Sequence, residues 1–335
     1  MISYVCMQYC IDMKLSKAFL YISILLTQPV FAQRGSIDTT LTLKINGIQQ
    51  VITFKGNDRE APVLLYLHGA GGNNYSLIDN AAKLTSRLQQ HFIVALWDQR
   101  DYGKTYQLNQ SPQAPTLHLM EDDCINVVDS ILKTFNREKL FIAAHSAGCV
   151  MGLYTAQKHP ELLNALIEIS PPVNGIKSQK IRWSTLTAHY KKVNNILAVH
   201  ELSTVRLPAR DFQSLFIMYV WQTEYEGEHI SDSVREEIKP VLKNWMQTPA
   251  ASLSNEVFDM NFGKQYPVIK CPVYFFAGRK DFLTNAALTE QYYKQLKAPK
   301  KQLFWFEKSA HVIPDTEPEL MQDRIINDIL PVNKD

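Results

Sequence analysis

The sequence lacks most of the features that would take a chain outside the ordinary globular class. It has five cysteines, and Cys6 and Cys10 fall in an N-terminal stretch with the character of a leader, which leaves Cys124, Cys149 and Cys271. An odd number with no C-x-x-C pair implies neither a disulfide framework nor a zinc site, so all three are expected as small buried hydrophobes. No block of like charge is present. The formal net charge is +2, from 35 Lys and Arg against 33 Asp and Glu, which offers nothing for nucleic acid or an anionic membrane surface to hold. H-E-x-x-H is absent, and His91, His118, His159, His189, His200 and His229 show no metal-ligand spacing, so no metal is expected. Neither G-x-G-x-x-G nor a G-K-[ST] ending occurs, which argues against a phosphate cradle, and no cofactor is expected. There is no internal repeat and no low-complexity tract.

The N-terminus carries an apolar stretch from Ala18 to Leu26, short of the ~20 residues that span a bilayer. Lys14 and Lys17 precede it, and Val30-Phe31-Ala32 follows with small residues where a signal peptidase needs them. Residues 1–32 are therefore expected to be a signal peptide cleaved after Ala32, giving a secreted or periplasmic protein with no membrane span in the mature chain. Either Met1 or Met13 fits as the start.

What is present is a regular alternation. LTLKI and QQVITF flank Asn46-Gly47, a pairing that favours a tight hairpin, so the mature chain is expected to open with two antiparallel strands. Beyond them come VLLYLHG, FIVALWDQR, LFIAAHS, ALIEIS, VYFFAG and LFWFE, separated by helical stretches. Runs apolar on both faces with helices between them predict an α/β fold with a mostly parallel sheet covered on both sides. Residues 173–265 break the alternation with helical periodicity and no convincing strand. They are expected to form a helical lid inserted before the last two strands, between core segments 33–172 and 266–335.

The chemistry is expected at strand ends. LFIAAHSAGCVMGLYTAQ reads as strand, tight turn and helix with Ser146 at the turn, where its hydroxyl is exposed at the carboxyl edge of the sheet. Ala144 and Gly148 stand where the motif G-x-S-x-G has glycines. Small residues around a serine at a strand end can also mean only tight packing. HGAGG, residues 68–72, follows another strand and could supply an oxyanion donor, making the Ala70 and Ala147 N–H groups the candidate pair. An acid and a histidine should follow in that order, each after a strand. Asp281 in VYFFAGRKD and His311 in LFWFEKSAHVIP meet that requirement, whereas Ser170-Pro171-Pro172-Val173-Asn174 contains no carboxylate. The expectation is that Ser146 attacks, His311 takes its proton and Asp281 orients the imidazole. His145 is expected to pack beneath the turn. A serine at the turn also excludes epoxide hydrolase and dehalogenase chemistry, which needs an aspartate there.

With HGAGG at 68, WDQRDYGKT at 97 and AHSAG at 144, the sequence resembles the α/β-hydrolase superfamily, and within it the proline iminopeptidase-like branch, over roughly residues 40–330. That branch shows H-G-G-P-G, D-Q-R-G-x-G-x-S and G-x-S-x-G. Here Gly71 replaces the proline, Asp101 a glycine and Ala144 the first glycine of the serine motif. Asp98 and Arg100 are expected to brace loops near the site. The resemblance implies a serine hydrolase acting on a small molecule or short peptide. In true iminopeptidases lid carboxylates hold the free amino terminus, and the corresponding acidic cluster here is Glu224, Glu226 and Glu228, which a solvated loop would also explain. Gly69, Trp221, Glu224 and Glu226 are the candidate substrate contacts. Trp183, Phe216, Tyr219, Trp221 and Tyr225 could line a pocket or form the lid's own core. Aminopeptidase, carboxylesterase and non-catalytic binder all remain open at this level.

Overall fold

The computed structural model describes residues 35–70, 76–109, 115–227 and 229–333. The expected signal segment, Gly71 and Gly72 of HGAGG, and Glu228 lie outside them.

An eight-stranded sheet organises the chain: β1 (Ile37–Ile45), β2 (Ile48–Gly56), β3 (Val63–Leu67), β4 (Ile93–Asp98), β5 (Leu140–His145), β6 (Leu163–Ile169), β7 (Val273–Gly278) and β8 (Lys301–Phe306). Their spatial order is β1-β2-β4-β3-β5-β6-β7-β8. β1 and β2 form the hairpin, with Asn46 at φ 45° and Gly47 at φ 85°, the left-handed pair that a two-residue turn requires. β2 pairs antiparallel with β4, and every pairing from β4 through β3 to β8 is parallel.

Alternation within a strand serves both faces of the sheet. Val63, Leu65 and Leu67 of β3 and Leu140, Ile142 and Ala144 of β5 enter one core, while Leu64 and Tyr66 with Phe141 and Ala143 enter the other. All are buried, which is why these runs lack the polar alternation of a sheet wetted on one side. Helix Leu117–Phe135 covers the first face with Met120, Cys124, Val127 and Ile131. Cys124, Cys149 and Cys271 are all free and buried.

Between β6 and β7 the chain makes a helical excursion: Gly175–Lys192, Ile196–Ser203, Phe212–Tyr225, Asp232–Met246, Pro249–Asp259 and the short turn Phe262–Gln265. Each of the first four starts at a side chain that caps its first turn: Asn174 accepts from Lys177 N–H, Asn195 from Ala198 N–H, Asp211 from Ser214 N–H and Ser231 from Val234 N–H. Their inward faces close on a third core of Leu186, Tyr190, Leu202, Phe216, Val220 and Trp221. Where the excursion leaves and returns, Phe262 N–H donates to the Val173 carbonyl at 2.9 Å and Asn174 bridges Asn261.

Candidate active site

The turn after β5 holds Ser146 at φ 53°, a left-handed backbone that serine rarely adopts. Two hydrogen bonds hold it there: Ser146 N–H donates to the Ile169 carbonyl at 2.9 Å, and Cys149 N–H donates to the Ser146 carbonyl at 3.0 Å. Glycine is needed where backbones meet. A Cβ at Gly148 would lie 2.7 Å from the Leu67 and His68 carbonyl oxygens, and one at Gly69 would lie 2.8 Å from Ser146 Cβ. Ala144, the departure from the glycine pattern, is buried opposite Gly152, where an added Cβ would lie 3.3 Å from the Ala144 methyl. The missing methyl at 152 makes room for the one at 144.

The ends of β7 and β8 bring the other two side chains to the serine. His311 Nε2 lies 2.9 Å from Ser146 Oγ, and His311 Nδ1 lies 3.1 Å from Asp281 Oδ2. Asp281 is buried, and its oxygens are fully engaged. Oδ1 accepts from Leu283 N–H and Thr284 N–H, both at 3.0 Å, and Oδ2 accepts from Thr284 Oγ1 at 2.6 Å. Burial alone would raise its pKa, but the adjacent His311 charge and the bonds from His311 and Thr284 outweigh it and hold the carboxyl below its ordinary value. A carboxylate that stays ionised keeps a proton on His311 Nδ1 and leaves Nε2 to face the serine hydroxyl.

Two further histidines are fixed in the neutral form. His68 donates Nδ1–H to the Gly69 carbonyl at 2.7 Å and accepts from Gln99 N–H at Nε2, and burial lowers its pKa to about 4. Gln99 also donates Nε2 to the His68 carbonyl at 3.1 Å, so the loop carrying Gly69 and Ala70 is pinned from both sides. His145 lines the cavity instead of packing beneath the turn. Its Nε2 donates to the His311 carbonyl at 3.2 Å, and burial followed by the His311 charge lowers its pKa to about 3.

The D-Q-R segment braces the same loops. Asp98 accepts from Ser76 Oγ at 2.7 Å and Lys104 N–H at 2.9 Å, and buried Arg100 grips Asp123 through Nε at 2.7 Å and Nη2 at 3.1 Å. Asp101, where the related pattern has glycine, adopts φ 64°; aspartate is among the side chains that tolerate that region.

A cavity of about 710 Å³ opens over Ser146. Gly69, Ala70 and Ala147 line it from the core, and Leu215, Tyr219, Glu226 and Trp245 line it from the helices. Trp221 and Glu224 do not lie in this wall. Trp221 is buried in the helical core, with Nε1 donating to Glu201 and the Arg235 guanidinium stacked on its ring, and Glu224 accepts from Ile230 N–H. Phe216 likewise belongs to the helical core, whereas Tyr219 faces the cavity. Thr284, His68 and Gln99 went unnoticed in the sequence as positioning groups. The signals were there: a hydroxyl three residues after an aspartate is a turn-capping pattern, and the other two sit inside HGAGG and WDQR.

The family model described as serine aminopeptidase, S33, matches residues 59–319. The chain belongs to this family. Among curated relatives it is similar to "Probable aminopeptidase YbaC" of Bacillus subtilis (strain 168), 26% identical over 313 residues covering 88% of this chain and 96% of that protein. The fold is shared with a proline iminopeptidase of Mycobacterium smegmatis, with TM-score 0.61 and 14% identity over 88% of this chain and 99% of that one. It is shared equally with an esterase of Pyrococcus furiosus, with TM-score 0.58 and 15% identity over 91% and 93%. As a member of this family the chain is an α/β-hydrolase enzyme.

Proposed function

We propose that this S33-family member is an exported serine hydrolase that cleaves an ester, amide or N-terminal peptide bond through an acyl-enzyme on Ser146. The observation that carries the reading is the hydrogen-bonded chain from Ser146 Oγ through His311 to Asp281 at the mouth of a cavity. In this mechanism Ser146 Oγ attacks the carbonyl carbon while His311 Nε2 takes its proton. Negative charge gathers on the carbonyl oxygen, where the Ala70 and Ala147 N–H groups and the N-terminus of helix Gly148–Lys158 stabilise it. The intermediate collapses as His311 returns the proton to the leaving oxygen or nitrogen. Water, deprotonated by His311, then releases the acid and restores the serine. Asp281 stays ionised throughout and steadies the imidazolium.

The helical excursion serves as the lid of this site, closing it with Leu215, Tyr219 and Trp245. For a peptide substrate, the carboxylates in the wall available to a free amino group are Glu226 and Asp315. Export follows from the leader-like residues 1–32. A fluorophosphonate probe tests the core of the proposal: it should label the native protein and not Ser146→Ala, and a folded protein that resists labelling would favour a ligand-binding role. Hydrolysis of prolyl-β-naphthylamide against short 4-nitrophenyl esters separates peptidase from esterase, and preference for the esters without need of a free amine would sink the peptidase reading. Cell fractionation with N-terminal sequencing should find Gln33 leading the exported form.

A further inference from the structure

The cavity wall contributed by helix Gly175–Lys192 carries hydrogen-bond donors that have no acceptor among the described residues. Gln179 and Arg182 stand three residues apart, hence on one face of the helix, and both line the cavity. Both are more than nine-tenths buried, at 4% and 7% exposure. Arg182 donates Nη1 to Gln222 Oε1 at 2.9 Å, while its Nε is sealed from solvent with no acceptor among the described residues. No ion pair joins it to a carboxylate among the described residues. The nearest acidic influence is Glu226, and the Gln222 amide intervenes by accepting from Arg182 and donating Nε2 to Glu226 at 2.8 Å. Gln179 Oε1 accepts from Ala209 N–H at 2.7 Å, which fixes the amide orientation and leaves its NH₂ group without an acceptor among the described residues.

A buried guanidinium with unmade hydrogen bonds is expensive, and an adjacent amide donor adds to the imbalance. Burial lowers the Arg182 pKa to about 10, so it remains a cation at neutral pH. A ligand ammonium would be repelled here. A carboxylate fits both the charge and the planar fork.

We propose that Arg182 and Gln179 form a subsite for a carboxylate of the substrate. The enzyme then acts on molecules carrying both a scissile carbonyl and a free carboxylate: half-esters of dicarboxylic acids, or short peptides with a free C-terminus. This deepens the reading of Ser146 as the point of attack and rests on it for the position of the scissile carbonyl; the anion subsite itself does not.

Binding to the Ser146→Ala protein, measured by titration calorimetry at neutral pH, tests the subsite without turnover. The probes are monomethyl succinate, adipate and suberate against their dimethyl esters, and prolylglycine against prolylglycinamide. In at least one pair the carboxylate member should bind roughly tenfold tighter, the value of one good charged pair. Adding Arg182→Gln should erase the difference, and Arg182→Lys should retain part of it. Should Arg182→Gln unfold, as judged by near-ultraviolet dichroism, Gln179→Glu replaces it. That side chain still accepts from Ala209 N–H, yet it sets a negative charge against the ligand and neutralises Arg182, so the preference should vanish. Equal affinity within every pair, or a preference that survives these substitutions, would overturn the subsite. Fluorophosphonate labelling of the native protein judges the nucleophile independently.

Discussion

The two walls of the cavity follow opposite plans. On the core side Ser146, Asp281 and His311 sit in the turns that follow β5, β7 and β8; backbone hydrogen bonds fix Ser146 and Asp281, and the side-chain bonds to those two hold His311. On the helical side the elements are capped one by one and share a core of their own around Trp221. Side chains from several of these helices, among them Arg182, Leu215, Tyr219 and Trp245, line the cavity. The contrast teaches where tolerance lies: close packing and hydrogen bonds fix Ser146, Asp281 and His311 against one another, whereas the helices around Trp221 can change residues with less consequence for the sheet.

Breaking the core wall should have the largest effect. Ser146→Ala or His311→Ala should lower kcat on 4-nitrophenyl esters by roughly four to six orders of magnitude, with no change in the circular dichroism spectrum. Retained activity in either variant would remove the substituted residue from the mechanism. Next, Asp281→Asn should cost roughly 10⁴ in kcat because it favours the wrong imidazole tautomer. Thr284→Val, which deletes one bond to that carboxylate, should cost roughly tenfold, a hydrogen bond to a charged group being worth about 1.5–3 kcal/mol. If the valine variant changed KM but not kcat, Thr284 would be acting elsewhere than on Asp281.

The helical wall should respond in another currency. Trp221→Ala removes a buried indole and should cost about 3–5 kcal/mol of local stability, seen as faster amide exchange across residues 175–246 and a severalfold rise in KM. Fast exchange spreading through the sheet strands would show that the two walls are one cooperative unit.

Acid tests the core wall without any substitution. His68 and His145 are neutral in the fold, with pKa values of about 4 and about 3, against an ordinary 6.5. Between pH 6.5 and those values the unfolded chain binds more protons than the folded one, so stability should decline as pH falls through that window and level off below it. Asp281 adds to the loss lower down. Its depressed pKa contributes stability that is complete above 3.8 and disappears as pH falls through the folded value. Tm measured from pH 7 to 3 should fall accordingly, and His68→Gln should flatten the slope between 6.5 and 4. A Tm constant over that range would contradict the buried neutral histidines.

What could be read from the sequence divides along the same line. A strand of a mostly parallel sheet shows as an apolar run, even β8 with one half-exposed face, and the loop that follows it opens at the carboxyl edge of the sheet. The order Ser146, Asp281, His311 was therefore visible in LFIAAHS, VYFFAG and LFWFE. An amphipathic helix gives no such address. Trp221 and Tyr219 are both aromatic and two residues apart, yet one is sealed in the helical core and the other faces the cavity. Glu224 and Glu226 divide in the same way, because the direction of a helix face depends on how the helices stack and not on any local pattern. Arg182 and Gln179 had no signal at all, being ordinary polar residues on a helix until the fold buries them.

The neck formed by Val173, Asn174, Asn261 and Phe262 has a consequence for how such a protein can diversify. Because the chain departs and returns at hydrogen-bonded neighbours, the 86 residues between Asn174 and Asn261 form a closed detour from the sheet. Closure entropy grows only slowly with loop length, so a detour of different size or sequence can be spliced between the same two points at little cost. The excursion can then vary apart from the sheet wherever it does not touch it, the fixed points being this neck and the places where Leu253, Val257 and Met260 enter the sheet core.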